Sequence, residues 1–321
     1  MKISVVSSVF GQMSLRESLA FLKSRGVGQL ELGVGGYPGK AHADAQVLAK
    51  DADKRKALAD TFGEAGMAIS ALAVHGNSVT PDKKAAAAFE ADFRAAATLC
   101  GQLGVETLVT FSGCPGSDRD AKRPAWVTCS WPPEHADALA YQWEEVLIPY
   151  WRDACPRASD AGVGKIALEM HPGFCVYNPS TLLRLRAAAG PLIGANLDPS
   201  HLIWQGMDIV EVIRELKGAI HYFHAKDTAL DPRNVRVNGV LDNGHYADVG
   251  GRAWTFRTMG YGLSELEWKR IFSALRVAGY DGTVSIEHED PLMSVTEGLT
   301  KAIEFVKGVI FVESPLEMFW A

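Results

Sequence analysis

Short apolar runs rich in Val, Ile, Leu and Ala recur at 2–9, 29–35, 68–75, 107–113, 165–171, 193–198, 219–227 and 283–288. Apolar and polar residues hardly alternate within them, the pattern of strands covered on both faces in a parallel sheet. Segments of helical period lie between. Leu15, Leu19 and Leu22 fall at i, i+4, i+7. Ile209, Val212, Ile213 and Leu216 fall at i, i+3, i+4, i+7, and Leu299, Ile303 and Val306 repeat the stripe near the end. Each stripe predicts a helix with one buried face. Ser14/Glu17, Asp208/Glu211, Ser264/Glu267 and Ser294/Glu297 have the spacing of a capping box, in which each side chain serves a free backbone N–H of the other.

Eight strand-then-helix units predict an α/β chain forming a single (β/α)8 TIM barrel domain over 1–321. The stretches 113–134 and 228–262 read as extended βα loops, and the apolar C-terminal tail from Val309 to Ala321 as packing on the barrel or on a second subunit. A doubly wound open sheet is the alternative. It calls for a phosphate fingerprint after an early strand, and no G-x-G-x-x-G opens a helix at Gly33-Val-Gly35-Gly36. The 321 residues are 47% hydrophobic, ample for one large core.

The formal net charge of -6 leaves no overall basic footprint for nucleic acid. The start, Met-Lys-Ile-Ser-Val-Val-Ser-Ser-Val, turns polar too soon for a signal peptide. No apolar stretch reaches the roughly 20 residues of a membrane span. A cytoplasmic protein with no membrane partner is expected. The five cysteines, Cys100, Cys114, Cys129, Cys155 and Cys175, form no C-x-x-C pair. Buried or unreactive thiols are expected rather than disulfides or a zinc ribbon.

A buried strand has no use for a charge unless that charge is paired or bound to metal. The last four strand-like runs end in such residues: Leu-Glu169-Met-His171, Asn-Leu-Asp198-Pro-Ser-His201, His224-Ala-Lys226-Asp227 and Ile-Glu287-His-Glu-Asp. In a barrel these ends meet at one mouth. Three carboxylates and an imidazole suit one divalent metal ion, with Mn2+ as the first expectation and Mg2+, Co2+ or Zn2+ as alternatives. The competing reading is a set of ion pairs at the mouth, such as Lys226 with Asp198.

These motifs, in this order and at these strand ends, resemble the xylose-isomerase-like barrel superfamily and, within it, the sugar phosphate isomerase/epimerase group. The resemblance runs over nearly the whole chain. It implies that Glu169, Asp198, His224 and Glu287 bind the metal. It further implies that Glu169 and Glu287 double as acid and base on opposite faces of the substrate. Among the flanking residues, His201, His171, His75 and Lys226 are candidates for contact with substrate or ligands, and Glu31 for a hydrogen-bond acceptor behind them. Arg257, in Phe-Arg257-Thr-Met-Gly260-Tyr-Gly262, matches an Arg and Gly-x-Gly segment of the group and would bind substrate hydroxyls or a phosphate. Trp131, in Cys129-Ser-Trp131-Pro-Pro-Glu-His135, reads as a lid that lays an aromatic wall on a sugar ring; His135 or His75 is a candidate extra base, the alternative for His135 being a helix N-terminal position in solvent. The insert at 228–256 departs from the short connection of simple ketose epimerases and points to a larger or more enclosed pocket.

Three functions follow. The first is isomerisation or epimerisation of a ketose, keto-inositol or keto-sugar through an enediolate. The second is a lyase relative that expels the C1 substituent of a 3-keto-glycoside, C-glycosides included. The third, an endonuclease IV-like DNA repair enzyme, is disfavoured because the fourth strand ends Thr-Phe-Ser112-Gly where a further histidine is needed, and no Asp-x-His follows the seventh. The expected partner is a small-molecule sugar or keto-glycoside, with assembly as a homo-oligomer or with a small second subunit.

Overall fold

The computed structural model describes residues 1–314 and 318. Its strands are β1 (Lys2–Val5), β2 (Gln29–Gly33), β3 (Ala68–Ala73), β4 (Thr107–Phe111), β5 (Lys165–Glu169), β6 (Ile193–Leu197), β7 (Ile220–Ala225), β8 (Asp227–Leu230), β9 (Trp254–Arg257) and β10 (Thr283–Ile286). Eight of them form one parallel sheet in the order β1-β10-β7-β6-β5-β4-β3-β2. A parallel bridge between Val6 and Glu31 joins the two ends of that order into a ring. With helices between successive strands, this is the (β/α)8 barrel that the alternating runs predict.

Side-chain parity explains why some strand residues serve the outer core and others face the axis. Leu30, Leu32, Leu72, Leu108, Ile166, Leu168, Ala195, Leu197, Phe223 and Ala225 belong to the main apolar cluster, with Leu19, Leu22, Val212, Ile213, Leu299 and Ile303 from the helix stripes. Residues of the opposite parity, Ala71, Val109, Ala167 and Tyr222, form a separate small cluster inside the ring. Successive strand residues point to opposite faces. The same parity aims Glu31, Glu169, Asn196, His224 and Ser285 at the axis.

Every predicted run contains a barrel strand, but most overshoot it at the C-terminal end. His75, Gly113, His171 and Glu287 lie beyond the ladder, where the chain turns to build the mouth. Apolarity persists there because these residues are covered by the mouth, not because they pair. The stretch 228–262 is not simply a loop. β8 and β9 form an antiparallel hairpin with Asp227 opposite Arg257, and a short helix, Pro232–Asn238, opens the arm between them. Indole stacking of Trp204 on Trp254, with ring centres 4.7 Å apart, seats this arm on the barrel.

The capping boxes at Ser14/Glu17 and Ser264/Glu267 close in both directions. At Asp208 and Ser294 only the forward half forms, the side chain accepting the Glu211 or Glu297 N–H. All five cysteines are free, four of them buried and Cys129 exposed. The tail packs on the barrel as far as Glu313, where Arg276 donates to the carbonyls of Phe311 and Glu313. Beyond Glu313, only Ser314 and Met318 of the predicted tail are among the described residues, and both are exposed. Among the described residues, no helix is long and apolar enough to cross a membrane.

Candidate metal centre

One ligand atom each from Glu169, Asp198, His224 and Glu287 lies within 4.8 Å of all the others. Their elements are neighbours in the ring, β5, β6, β7 and β10, so four distant segments meet at one mouth. Asp198 caps the short helix Pro199–Ile203 through Oδ1, which accepts the Ser200 N–H at 2.8 Å. That bond turns Oδ2 toward the centre, where it lies 3.2 Å from Lys226 Nζ and 3.3 Å from His201 Nε2. His224 Nδ1 is buried without a hydrogen-bond partner among the described residues. It stands 3.4 Å from Glu169 Oε2 and 3.2 Å from Glu287 Oε2.

Two histidines grip Glu169. His75 Nε2 lies 3.0 Å from Oε2 and His201 Nε2 3.0 Å from Oε1, and the Asn196 amide donates to Oε2 at 3.3 Å. Burial opposes the charged form of Glu169. The contacts with His201, His224 and His75 outweigh it and hold the carboxyl well below its usual range. Asp198 behaves oppositely. Burial pushes its carboxyl up to about 7, against the pull of Lys226 and with added repulsion from Glu169 and Glu287. For His201, burial dominates and lowers the imidazole to about 3, so the ring is neutral. His171 packs against His201 with the rings tilted 55° and their centres 4.0 Å apart, and Phe111 packs edge-on to both His75 and His171.

Lys226 is the buried counter-ion. Its Nζ lies 2.9 Å from Glu287 Oε2, 3.1 Å from Glu289 Oε2 and 3.2 Å from Asp198 Oδ2. The ion pair named as the competing reading is therefore present. It does not balance the site. Glu31, Glu169, Asp198, Glu287 and Glu289 are five carboxyl groups gathered around the Lys226 ammonium and the His224 imidazole. Crowded carboxyl groups, a buried imidazole nitrogen without a hydrogen-bond partner among the described residues, and a donor set of three carboxylates and one imidazole fit a divalent cation.

The remaining candidates divide. Arg257 ends β9, and its Nε donates to Asp290 Oδ2 at 3.1 Å. Trp131 and His135 are not drawn into the cluster. Trp131 is 73% exposed, and His135 turns Nδ1 to the Cys129 carbonyl at the surface.

Several participants escaped the sequence reading. Asn196, Glu289 and Asp290 lie inside the quoted motifs, and strand parity could have assigned Asn196. Phe111 and Ser285 carried no signal, because a strand Phe or Ser is ordinary.

The chain belongs to the xylose isomerase-like TIM barrel family, which it matches over residues 19–309. It is 38% identical over 312 residues to the uncharacterized protein YfiH of Bacillus subtilis (strain 168), covering 97% of this chain and 99% of that protein. Among solved structures it is similar to the IolI protein with a bound zinc atom, at TM-score 0.66 and 19% identity over 97% of this chain and 98% of that one. It is also similar to D-psicose 3-epimerase in the presence of D-fructose, at TM-score 0.63 and 15% identity over 97% and 99%. At these identities the solved structures share the fold.

Proposed function

We propose that the protein is a divalent-metal-dependent isomerase or epimerase that removes the proton α to the carbonyl of a keto-sugar. The observation that carries this reading is the convergence of Glu169, Asp198, His224 and Glu287, with His224 Nδ1 buried and without a hydrogen-bond partner among the described residues. The zinc in IolI and the activity named for the epimerase agree with it. A cation held by these four residues, Mn2+ first among the alternatives, supplies Lewis acidity that lowers the cost of an enediolate. Glu169 and Glu287 flank the cluster from β5 and β10, with Asp198 and His224 between them. Each can remove a proton from one side of a substrate and return one from the other. His75 and His201 orient Glu169, and Lys226 does the same for Glu287. Arg257, held by Asp290, would bind a substrate oxygen. Incubating the metal-loaded protein with D-fructose and other ketoses in D2O tests the reading. Carbon-bound deuterium should appear, and Glu169→Gln and Glu287→Gln should each slow its appearance about 10²–10⁴-fold. Full activity in both variants would sink it.

One observation supports a second outcome of the same proton removal, expulsion of the C1 substituent of a 3-keto-glycoside. The β8–β9 arm sets Phe256 against His201 and Lys226, and Tyr246, 55% exposed, stacks on Phe256. An apolar substituent larger than a free ketose carries would find a surface there. Release of the aglycone from 3-keto-glycosides, without deuterium exchange in ketoses, would select this outcome.

A further inference from the structure

Barrel interiors are ordinarily filled by branched aliphatic side chains. Beneath this cluster the interior instead holds a continuous polar row. His224 Nε2 lies 3.0 Å and 3.2 Å from the two oxygens of Glu31. The Ser285 hydroxyl donates to Glu31 Oε2 at 2.6 Å. The Tyr222 hydroxyl contacts Ser285 in turn. Tyr222 also shares a 2.7 Å hydrogen bond with Ser70, and Ser70 one of 2.8 Å with Ser4. These side chains come from β7, β2, β10, β3 and β1, and Glu31, Ser285 and Ser4 have no exposed surface. A carboxylate is not buried so completely unless its partners hold it in place.

The row has a direction. Both groups that reach Glu31 present a hydrogen to it, Ser285 from its hydroxyl and His224 from Nε2. A histidine that carries its hydrogen on Nε2 keeps the Nδ1 lone pair free, and Nδ1 is the atom aimed at Glu169 and Glu287. Without Glu31 the ring could flip or take the other tautomer, and the lone pair would point into the barrel. We propose that Glu31, braced by Ser285 and Tyr222, is a positioning residue that presents His224 as an Nδ1 donor to the divalent cation. This rests on the metal reading of the site.

The test is equilibrium Mn2+ affinity, by chelator competition, for the wild type and for Glu31→Ala, Glu31→Gln and Ser285→Ala. Glu31→Ala should weaken binding about 10–100-fold, the usual cost of losing the partner behind a metal-bound histidine. Glu31→Gln should lose less, because its amide oxygen still accepts from Nε2–H. Ser285→Ala, a small change that leaves the barrel intact, should lose roughly two- to tenfold, the worth of one hydrogen bond. In the zinc-loaded wild type, proton NMR should show a slowly exchanging imidazole N–H from His224 that vanishes in Glu31→Ala, a signature that general loosening of the fold would not single out. A wild type that binds Mn2+ alongside Glu31 and Ser285 variants of equal affinity overturns the role of Glu31 alone. A wild type that takes up neither Mn2+, Co2+ nor Zn2+ overturns the metal reading, and this inference with it.

Discussion

Lys226 Nζ stands 3.2 Å from Asp198 Oδ2, so a buried ammonium lies against the edge of a cluster built from carboxylates. Burial opposes its charge, but Asp198, Glu287, Glu289 and Glu169 together hold Lys226 well above its usual range. The lysine neutralises part of the cluster and leaves His224 Nδ1 without a hydrogen-bond partner among the described residues. Removing one partner from a buried ionic group leaves the others uncompensated. Lys226→Met, close in length and apolar, is therefore expected to destabilise the metal-free protein by about 3–5 kcal/mol. Added Mn2+ should restore most of that loss. Urea unfolding curves with and without Mn2+ measure both, and a variant as stable as the wild type without metal would contradict this account.

Binding of a cation to the folded state alone stabilises it by mass action. At a free Mn2+ concentration of 100 Kd the gain should be about 2.7 kcal/mol, and EDTA should abolish it. Asp198→Asn and His224→Ala should respond far less, since each removes one donor of the four. Thermal melts across a Mn2+ series provide the measurement. A midpoint independent of metal in the wild type would count against the site.

Asp227 follows Lys226 by one residue but does different work. Its carboxylate accepts from the backbone N–H groups of Thr228, Gly260, Gly262 and Leu263 and from the Trp268 indole N–H, all between 2.9 and 3.2 Å. It ties the end of the β8–β9 arm to the helix Glu265–Val277. Asp227→Ala would strand several buried donors, so it should cost about 3–5 kcal/mol by denaturant unfolding, the range for breaking a buried charged network. A loss below about 1 kcal/mol, the net worth of one ordinary hydrogen bond, would show that the network is not cooperative.

The arm has its own lock. The buried Arg252 guanidinium lies 4.2 Å from the Tyr246 ring centre and 4.6 Å from that of Trp254, and its Nε donates to the Trp254 carbonyl. It also reaches the Gly244 carbonyl. Arg252→Ala should release residues 239–252 locally while the barrel stays folded, because the arm contributes little to the main core. Limited proteolysis should cut within that segment in the variant and not in the wild type. Unchanged resistance would assign the arm's order to the Trp204–Trp254 stack instead.

The barrel itself was legible because its signal is repeated. Runs buried on both faces and helix stripes of period 3.6 recur through the chain, and each repetition narrows the choice of fold. Glu169, Asp198, His224 and Glu287 stood out for a related reason, since charge at the end of an apolar strand is costly unless something binds it. Strand ends were less legible. Residues such as His75 and His171 are covered by the mouth and read like strand, and only the ladder shows where pairing stops. The arm at 228–257 lacks a run long enough to announce a hairpin. The position of Trp131 was not legible either, because its Pro-flanked aromatic pattern says nothing of where the segment lies.

From its own order of residues, then, the chain determined local patterns: which segments are strands or helices, and which strand ends carry ionisable groups. Tertiary structure decided everything that depends on distances between segments far apart in sequence. Glu31 and His224 are 193 residues apart, and nothing near either one shows that they share a hydrogen bond. Closing the ring brings β2 and β7 to opposite sides of one narrow axis, and inward parity on both strands makes the two side chains meet. The same closure places Lys226 against Asp198 while leaving Trp131 in solvent.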